Sequence, residues 1–383
     1  MKILYVINSG KPGGVEQHVL DLTKSMIALG HVVYVWCLPG SIEAWYKDTG
    51  AHVFTNNRIR FDIDPLYVID LAAFIIREQI DVVHAHELKA STNALLASFS
   101  VMAKVKITHI HTPMSEWQVR GLVKKLFTNL QIAGYACLIN LLATREIALT
   151  DSRKKVKIAE GIRPEKLEVI PNALNFSGFD VSVETRQIYK NEIRSKYAIP
   201  DDAYVFGNIG RHTEEKGTDT LIRAFAQFVN RHSDKKYFLI LGGGGKLEEA
   251  NKWLANELGV ADKVKITGVF PDDVKTKLYC SFDSFIFPSL AEGFGIVLME
   301  AMYMALPVIC SDLEVLREVG GNTINYFAKG NISDLVLRMQ EQVASAVIDN
   351  VPARDRVRKE FSMDGFKMKY AGLYKKLLEA KNK

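Results

Sequence analysis

The residues best suited to chemistry lie in one run of the second half, Phe287-Pro288-Ser289-Leu290-Ala291-Glu292-Gly293-Phe294-Gly295-Ile296-Val297-Leu298-Met299-Glu300. Two glutamates stand eight positions apart across a Gly-x-Gly turn that leads into a helix. Glu292 would project from the loop toward a ligand. Glu300, about a turn and a half into the helix, would bond a second part of it. Gly293 and Gly295 leave backbone N–H groups for phosphate oxygens between the two carboxylates. Buried carboxylates capping the turn would leave the same trace. Upstream, Gly210-Arg211-His212-Thr213-Glu214-Glu215-Lys216-Gly217 puts Arg211 and Lys216 on one loop. A planar fork and a point charge together suit a diphosphate; a merely solvated charge run would not call for the flanking glycines.

Two further glycine loops follow predicted strands. Asn8-Ser9-Gly10-Lys11-Pro12-Gly13-Gly14-Val15-Glu16 enters a helix, whose N-terminus favours an anion. A tight strand-to-helix turn explains Gly13 and Gly14 equally well. Leu241-Gly242-Gly243-Gly244-Gly245-Lys246 is another place where backbone and ligand approach closely. Neither loop has the G-x-G-x-x-G spacing of dinucleotide sites, which disfavours a NAD-dependent dehydrogenase.

The elements that must position these loops alternate. Ile3–Ile7, Val32–Leu38, His52–Thr55, Val82–Ala85 and Lys106–His111 read as strands, with helical periodicity over Val15–Leu29, Pro65–Arg77 and Leu88–Phe99. After a polar interval the pattern repeats. Strands are expected at Tyr204–Ile209, Tyr237–Leu241, Val264–Thr267, Ser284–Phe287 and Pro307–Cys310, and helices at Thr218–Arg231, Leu247–Leu258 and Gly295–Met304. Strands apolar throughout indicate parallel sheets covered on both faces. The class is therefore α/β, with two Rossmann-like, doubly wound parallel-sheet domains facing across a cleft, the default place for a ligand. Residues 1–178 form the first domain, 179–200 a linker ending in the turn Ile199-Pro200-Asp201-Asp202, and 201–360 the second domain. Residues 361–383 form a helix in which Phe366, Tyr370, Leu373, Leu377 and Leu378 recur near helical spacing.

With 383 residues, a hydrophobic fraction of 48% and a charged fraction of 24%, the chain is of ordinary globular composition. Collagen, coiled coil, disulfide scaffold and disorder are excluded. The net charge of +5 is too small to argue for nucleic acid. Its distribution says more: residues 1–175 hold 20 Lys and Arg against 16 Asp and Glu, the remainder 29 against 28. Cys37, Cys137, Cys280 and Cys310 are far apart, and three lie in apolar runs, so buried thiols are expected rather than a disulfide or a zinc site. The first apolar run is too short for a signal peptide. The longest, Ile132–Ala143, falls short of the roughly 20 residues of a spanning helix. The expected place is the cytoplasm or the cytosolic face of a membrane.

Across nearly the whole chain the sequence resembles glycosyltransferase family 4, with the GT-B fold. The resemblance rests on Gly13-Gly14-Val15-Glu16, Asp81-Val82-Val83-His84-Ala85-His86, His111-Thr112-Pro113 and Val169-Ile170-Pro171-Asn172. It continues through Gly210-Arg211 with Lys216-Gly217, the Glu292-to-Glu300 motif and Pro307-Val308. It implies retaining transfer of a hexosyl or N-acetylhexosaminyl group from a nucleoside-diphosphate sugar, a UDP-sugar before GDP-mannose. The acceptor would be a glycan or lipid-linked, as in cell-surface polysaccharide or glycolipid biosynthesis. By the same resemblance, Arg211 and Lys216 neutralise the leaving diphosphate with help from Gly13 and Gly14, and Glu292 bonds sugar hydroxyls. Glu300 would bond the donor ribose, and Gly210, Gly242, Gly243, Gly293, Phe294, Gly295 and Ile296 would complete the donor site. His111 orients the reacting sugar, ahead of His109, His84 and His86. No cofactor or metal is expected, because Arg and Lys carry the diphosphate. A nucleotide-sugar epimerase of the same fold and a non-catalytic nucleotide-sugar-binding protein are the alternatives.

The family usually has glycine where Ala305 and Ala173 stand, both small departures. Asp62-Ile63-Asp64 looks like a D-x-D metal motif, but preceding Pro65 and a predicted helix it reads as N-cap chemistry. On the acceptor side, Pro113–Tyr135 carries Trp117, Arg120, Lys124, Lys125 and Phe127 among Val119, Leu122, Val123, Leu126 and Leu130. Such a helix either lies on an anionic membrane or covers the sheet with its charges solvated. The charge excess of the first half fits peripheral membrane association. The family resemblance also suggests that the C-terminal helix packs back on the first domain.

Overall fold

The computed structural model describes residues 1–56, 59–116, 121–232, 235–345 and 349–381, which divide into two compact units, Met1–Ala173 with Met363–Lys383 and Leu174–Ser362. The first is built from β1 (Lys2–Ile7), α1 (Gly14–Ala28), β2 (Val32–Cys37), α2 (Ile42–Lys47), β3 (His52–Thr55), α3 (Pro65–Glu78), β4 (Val82–His86), α4 (Leu88–Ser100), β5 (Val105–His109), α5 (Leu122–Leu142), β6 (Arg145–Ala148), α6 (Asp151–Ala159) and β7 (Leu167–Val169). The strands form one parallel sheet in the order β3-β2-β1-β4-β5-β6-β7. Alternation across β1 explains the three layers. Ile3, Tyr5 and Ile7 point into a core with Val19, Leu22 and Met26 of α1 and with Phe366, Tyr370 and Tyr374 of the C-terminal helix. Leu4 and Val6 point the other way, onto Tyr67, Leu71 and Phe74 of α3. The chain winds outward from β1 in one direction and from β4 in the other, so the switch point lies between these two strands.

The second unit contains α7 (Val183–Lys196), β8 (Tyr204–Ile209), α8 (Thr218–Arg231), β9 (Tyr237–Gly242), α9 (Glu248–Glu257), β10 (Val264–Ile266), α10 (Asp272–Ser281), β11 (Ser284–Phe287), α11 (Ile296–Tyr303), β12 (Val308–Ser311), α12 (Glu314–Gly320), β13 (Asn325–Phe327), α13 (Ile332–Ala344) and α14 (Val351–Glu360). Its parallel sheet runs β10-β9-β8-β11-β12-β13, with the switch between β8 and β11. Leu221, Ile222, Phe225, Phe228 and Val229 form the buried stripe of α8 that covers one face. The C-terminal helix α15 (Met363–Lys381) belongs to the first unit.

Three sequence expectations change. The segment 179–200 is no linker: α7 occupies its centre and belongs to the second unit. Ser182 caps α7 by accepting the Thr185 N–H at 3.2 Å. The buried Arg194 guanidinium donates to the carbonyls of Asp201 and Ala203 and to Asp283. Second, β5 ends at His109, so His111 stands beyond the strand. Third, Cys137 is exposed, while the other three thiols are buried. Asp64 is the N-cap of α3, accepting the Tyr67 N–H at 3.3 Å. Trp117, Val119 and Arg120 lie outside the described residues.

Candidate active site

In each unit the chemistry-bearing residues gather where the strand order reverses, beyond the carboxyl ends of the central strands. In the second unit the loop after β8 packs on the loop after β11. Gly217, at φ +62°, makes this possible: a Cβ there would stand 2.3 Å from the Pro288 carbonyl oxygen. The Glu215 carbonyl accepts the N–H of Leu290 at 2.7 Å. Across this seam the Lys216 ammonium donates to Glu292 Oε1 at 2.5 Å, and Ser289 Oγ donates to the same oxygen at 2.8 Å. Arg211 is held differently. Its side chain is 78% exposed, and its guanidinium lies 3.8 Å from Glu215 Oε1. The two cations of the expected clamp are thus on one loop, one seated on a carboxylate and one largely solvated.

Glu300, expected as a ligand contact, is buried on α11. Its carboxylate accepts from Lys275 Nζ at 3.0 Å and from the Tyr279 hydroxyl at 2.8 Å. Burial and the Glu300 charge push the Tyr279 hydroxyl well above its ordinary pKa, so it stays a donor. Gly295 caps α11 at φ +96°, and a Cβ there would meet Leu316 at 2.8 Å. Gly293 and Ile296 are half-buried beside it. Phe294 is buried, with its ring edge-on to Phe361 at 5.8 Å, so it can offer a ligand only backbone. The bareness of Gly243 (φ +118°) is used against protein: a Cβ would stand 2.1 Å from the Gly210 carbonyl oxygen, while the Gly210 N–H donates to the Gly242 carbonyl at 2.9 Å.

In the first unit Gly13 is the extended N-cap of α1, where a Cβ would crowd the Glu16 carboxylate at 2.4 Å; at Gly14 it would meet nothing within 4 Å. Next to this turn stand five histidines. His84 and His86 come from β4, His109 from the end of β5, His111 from just beyond it, and His18 from α1. His86 Nδ1 lies 3.3 Å from His111 Nε2, and His84 Nδ1 lies 2.8 Å from the Tyr374 hydroxyl. Burial lowers the pKa of all five, to about 4 for His18. They are neutral at pH 7. His84, His86 and His109 are fully buried, whereas His111 keeps a partly open face. A neutral, partly open imidazole can orient a hydroxyl but is a weak base. Beneath it, Glu146 accepts the Ile110 N–H at 3.3 Å and pairs with buried Lys157, Thr108 and Tyr135.

Sequence reasoning missed the roles of Ser289, Lys275 and Tyr279, and missed His18 altogether. The available signal for His18 was that it opens the second turn of the helix behind the first glycine loop, while other histidines crowd neighbouring strand ends.

A profile described as Glycosyltransferase Family 4 matches residues 12–177, and one described as Glycosyl transferases group 1 matches residues 189–359. An uncharacterized glycosyltransferase of Methanocaldococcus jannaschii is 28% identical over 330 residues, 82% of this chain and 80% of its own length. The GPI3 subunit of the Saccharomyces cerevisiae phosphatidylinositol N-acetylglucosaminyltransferase is 26% identical over 380 residues, covering 91% of this chain and 76% of its own. The solved structure of Anabaena HepE in complex with UDP-glucose superposes with a TM-score of 0.81 at 22% identity, over 98% of this chain and 100% of that one. At that identity the likeness is one of fold. The two profiles together take in every strand named above except β1, and the chain belongs to the family-4 glycosyltransferases of GT-B fold.

Proposed function

We propose that this glycosyltransferase moves a hexosyl or N-acetylhexosaminyl group, with retention of configuration, from a UDP-sugar in preference to GDP-mannose. The observation that carries the reading is the Lys216–Glu292 pair at the switch point of the second unit. A carboxylate able to bond sugar hydroxyls there touches a cation able to hold the adjoining phosphate. As the bond to the sugar breaks, negative charge grows on the departing diphosphate. Lys216, and Arg211 swinging in from the same loop, would stabilise that charge without a metal. In the same reading His111 would orient the sugar, the glycine turn before α1 would meet phosphate, and Glu300 would exchange one of its bonds to Lys275 and Tyr279 for the ribose. Retention is what family membership implies. The UDP preference draws on the UDP-glucose complex of HepE.

The acceptor would be a glycan or a lipid-linked sugar, met by peripheral association with an anionic membrane. The yeast relative, named for transfer to phosphatidylinositol, supports a lipid acceptor. No helix of the described residues is long and apolar enough to cross a membrane. Thermal unfolding with UDP, GDP, ADP and NADH, each with and without EDTA, tests the donor site. A ligand at a hundred times its Kd adds about 2.7 kcal/mol, so UDP is expected to raise the midpoint most, and EDTA to leave that shift intact. No shift with any diphosphate, or one with NADH alone, would sink the reading. The anomeric signal of the product, followed by NMR from a donor of known configuration, tests retention.

A further inference from the structure

The histidines next to the first glycine turn outnumber what orienting one sugar hydroxyl requires. His18, His86, His109 and His111 each bring one ring nitrogen into a group whose members lie within 4.8 Å of one another. Three chain segments converge to make it. His86 and His109 are register partners on adjacent strands, His111 follows two residues on, and His18 reaches across from α1. The rings are packed: His109 and His111 stack at 3.9 Å, and His18 meets His86, His109 and His111 edge-on at 4.8 to 5.5 Å.

Two observations point to a cation. Among the described residues, His18 Nε2 and both nitrogens of His109 are buried with no hydrogen-bond partner. Leaving buried polar atoms unmet costs about 1–3 kcal/mol each, and each neutral imidazole keeps one lone pair that a cation can take. The second is position: the Glu87 carboxyl, next in the chain to His86, accepts the backbone N–H of His111 and so steadies that ligand from behind. Lys157 is the opposing cation, and Glu146 neutralises it.

We propose that His18, His86, His109 and His111 form a binding site for a divalent transition-metal ion of the zinc class. Imidazole nitrogens suit zinc in a tetrahedral arrangement. Zn–N bonds of about 2.0–2.1 Å place ligand nitrogens about 3.4 Å apart. His86 Nδ1 and His111 Nε2 already stand 3.3 Å apart, and the ligand atoms of the whole group lie within 4.8 Å of one another. Glu87, bonded to the His111 backbone, is the outer-shell carboxylate. The site belongs to the first unit, whereas the Lys216–Glu292 pair belongs to the second. It shares His111 with the proposed sugar-orienting role, but its readout is metal binding, which is measured without sugar transfer.

The test uses full-length protein purified without a metal-affinity tag and stripped with EDTA. Titration with Co2+ is expected to give a tetrahedral visible absorption saturating at one equivalent, displaced by Zn2+. His18→Ala and His109→Ala should each weaken Zn2+ binding by at least about tenfold, the cost of disturbing even an outer-shell partner, and Glu87→Gln by about the same. Where a variant fails to fold, histidine NMR of the wild-type protein decides. Zn2+ should shift the cluster signals and that of His84, which stacks on His86 at 4.4 Å, and spare His31, His52, His212 and His232. Absence of the tetrahedral absorption, affinity unchanged in folded His18→Ala and His109→Ala, or shifts at those four distant histidines in place of the cluster would overturn the proposal.

Discussion

Arg211 and Lys216 sit five residues apart on one loop, yet what holds them differs, and the difference separates two kinds of mutant. Arg211 is largely solvated, so Arg211→Ala removes little that the folded state relies on. Lys216 is seated on Glu292, whose side chain is 9% exposed, so Lys216→Ala strips a partner from a mostly buried carboxylate. If both cations meet the departing diphosphate, each variant loses about a hundred- to thousandfold in kcat, the scale for one preorganised stabilising group. Only Lys216→Ala should also lower the unfolding midpoint. Steady-state kinetics and calorimetry on the same preparations check this; near-normal turnover in both variants would refute the clamp. Glu292→Ala makes a complementary case. It should impair transfer more than UDP binding, because its expected contacts are with the sugar.

At the scale of elements, α11 ends on a residue that its geometry does not favour. Ala305 stands at φ +58° just past the helix, a left-handed position normally given to glycine. The Asn350 N–H donates to its carbonyl at 2.6 Å, which pins the conformation. A non-glycine residue there costs roughly 1–2 kcal/mol. Part of that is returned by its lower entropy when unfolded, so Ala305→Gly should stabilise the second unit by up to about 1 kcal/mol in urea unfolding. Helix α5 poses a different problem. Tyr135 and Ile139 near its end are buried, but Leu122, Val123, Leu126, Phe127 and Leu130 are exposed beside Lys124 and Lys125. The sequence from 117 to 145 holds no acidic residue. Flotation with anionic liposomes at low salt should therefore recover the protein, and Leu126→Glu with Phe127→Glu should abolish recovery; failure of the wild-type chain to float would remove the membrane from the proposal. These elements also show what was legible beforehand. Strand β8 and helix α8 emerge at their expected bounds because apolar runs and a 3.6-residue stripe leave little choice. Helix α7 was hidden because its buried residues are Ile193 and Arg194, too few for a stripe and one of them charged. The glycine loops of the site were legible because a missing side chain is visible locally. Lys275 and Tyr279 were not, since only folding brings α10 beside Glu300.

For the whole molecule, the two units should answer acid differently. His18, His84, His86, His109 and His111 all lie in the first unit with pKa values lowered chiefly by burial. An unfolded histidine takes up its proton near pH 6.5. Below that pH the unfolded chain binds protons that the folded unit refuses, so stability present at pH 7 and above is lost as pH falls toward the lowered values, about 4 for His18. Two carboxylates in the same unit work the other way. Burial lifts Asp21 to about 6 and Glu87 to about 7. Folded, they hold a proton that the unfolded chain has released, and they favour folding as pH drops. Five histidines outweigh two acids, and each net proton is worth about 1.4 kcal/mol per pH unit. In the second unit His212 is the histidine with a burial-lowered pKa. Hydrogen exchange by mass spectrometry, corrected for intrinsic rates, should therefore show protection falling between pH 7 and pH 5 sooner in Met1–Ala173 than in Leu174–Ser362. Equal loss in both units, or greater protection of the first at pH 5, would mean that the histidines are protonated or solvated in the folded protein, and the neutral imidazole assigned to His111 would fall with them.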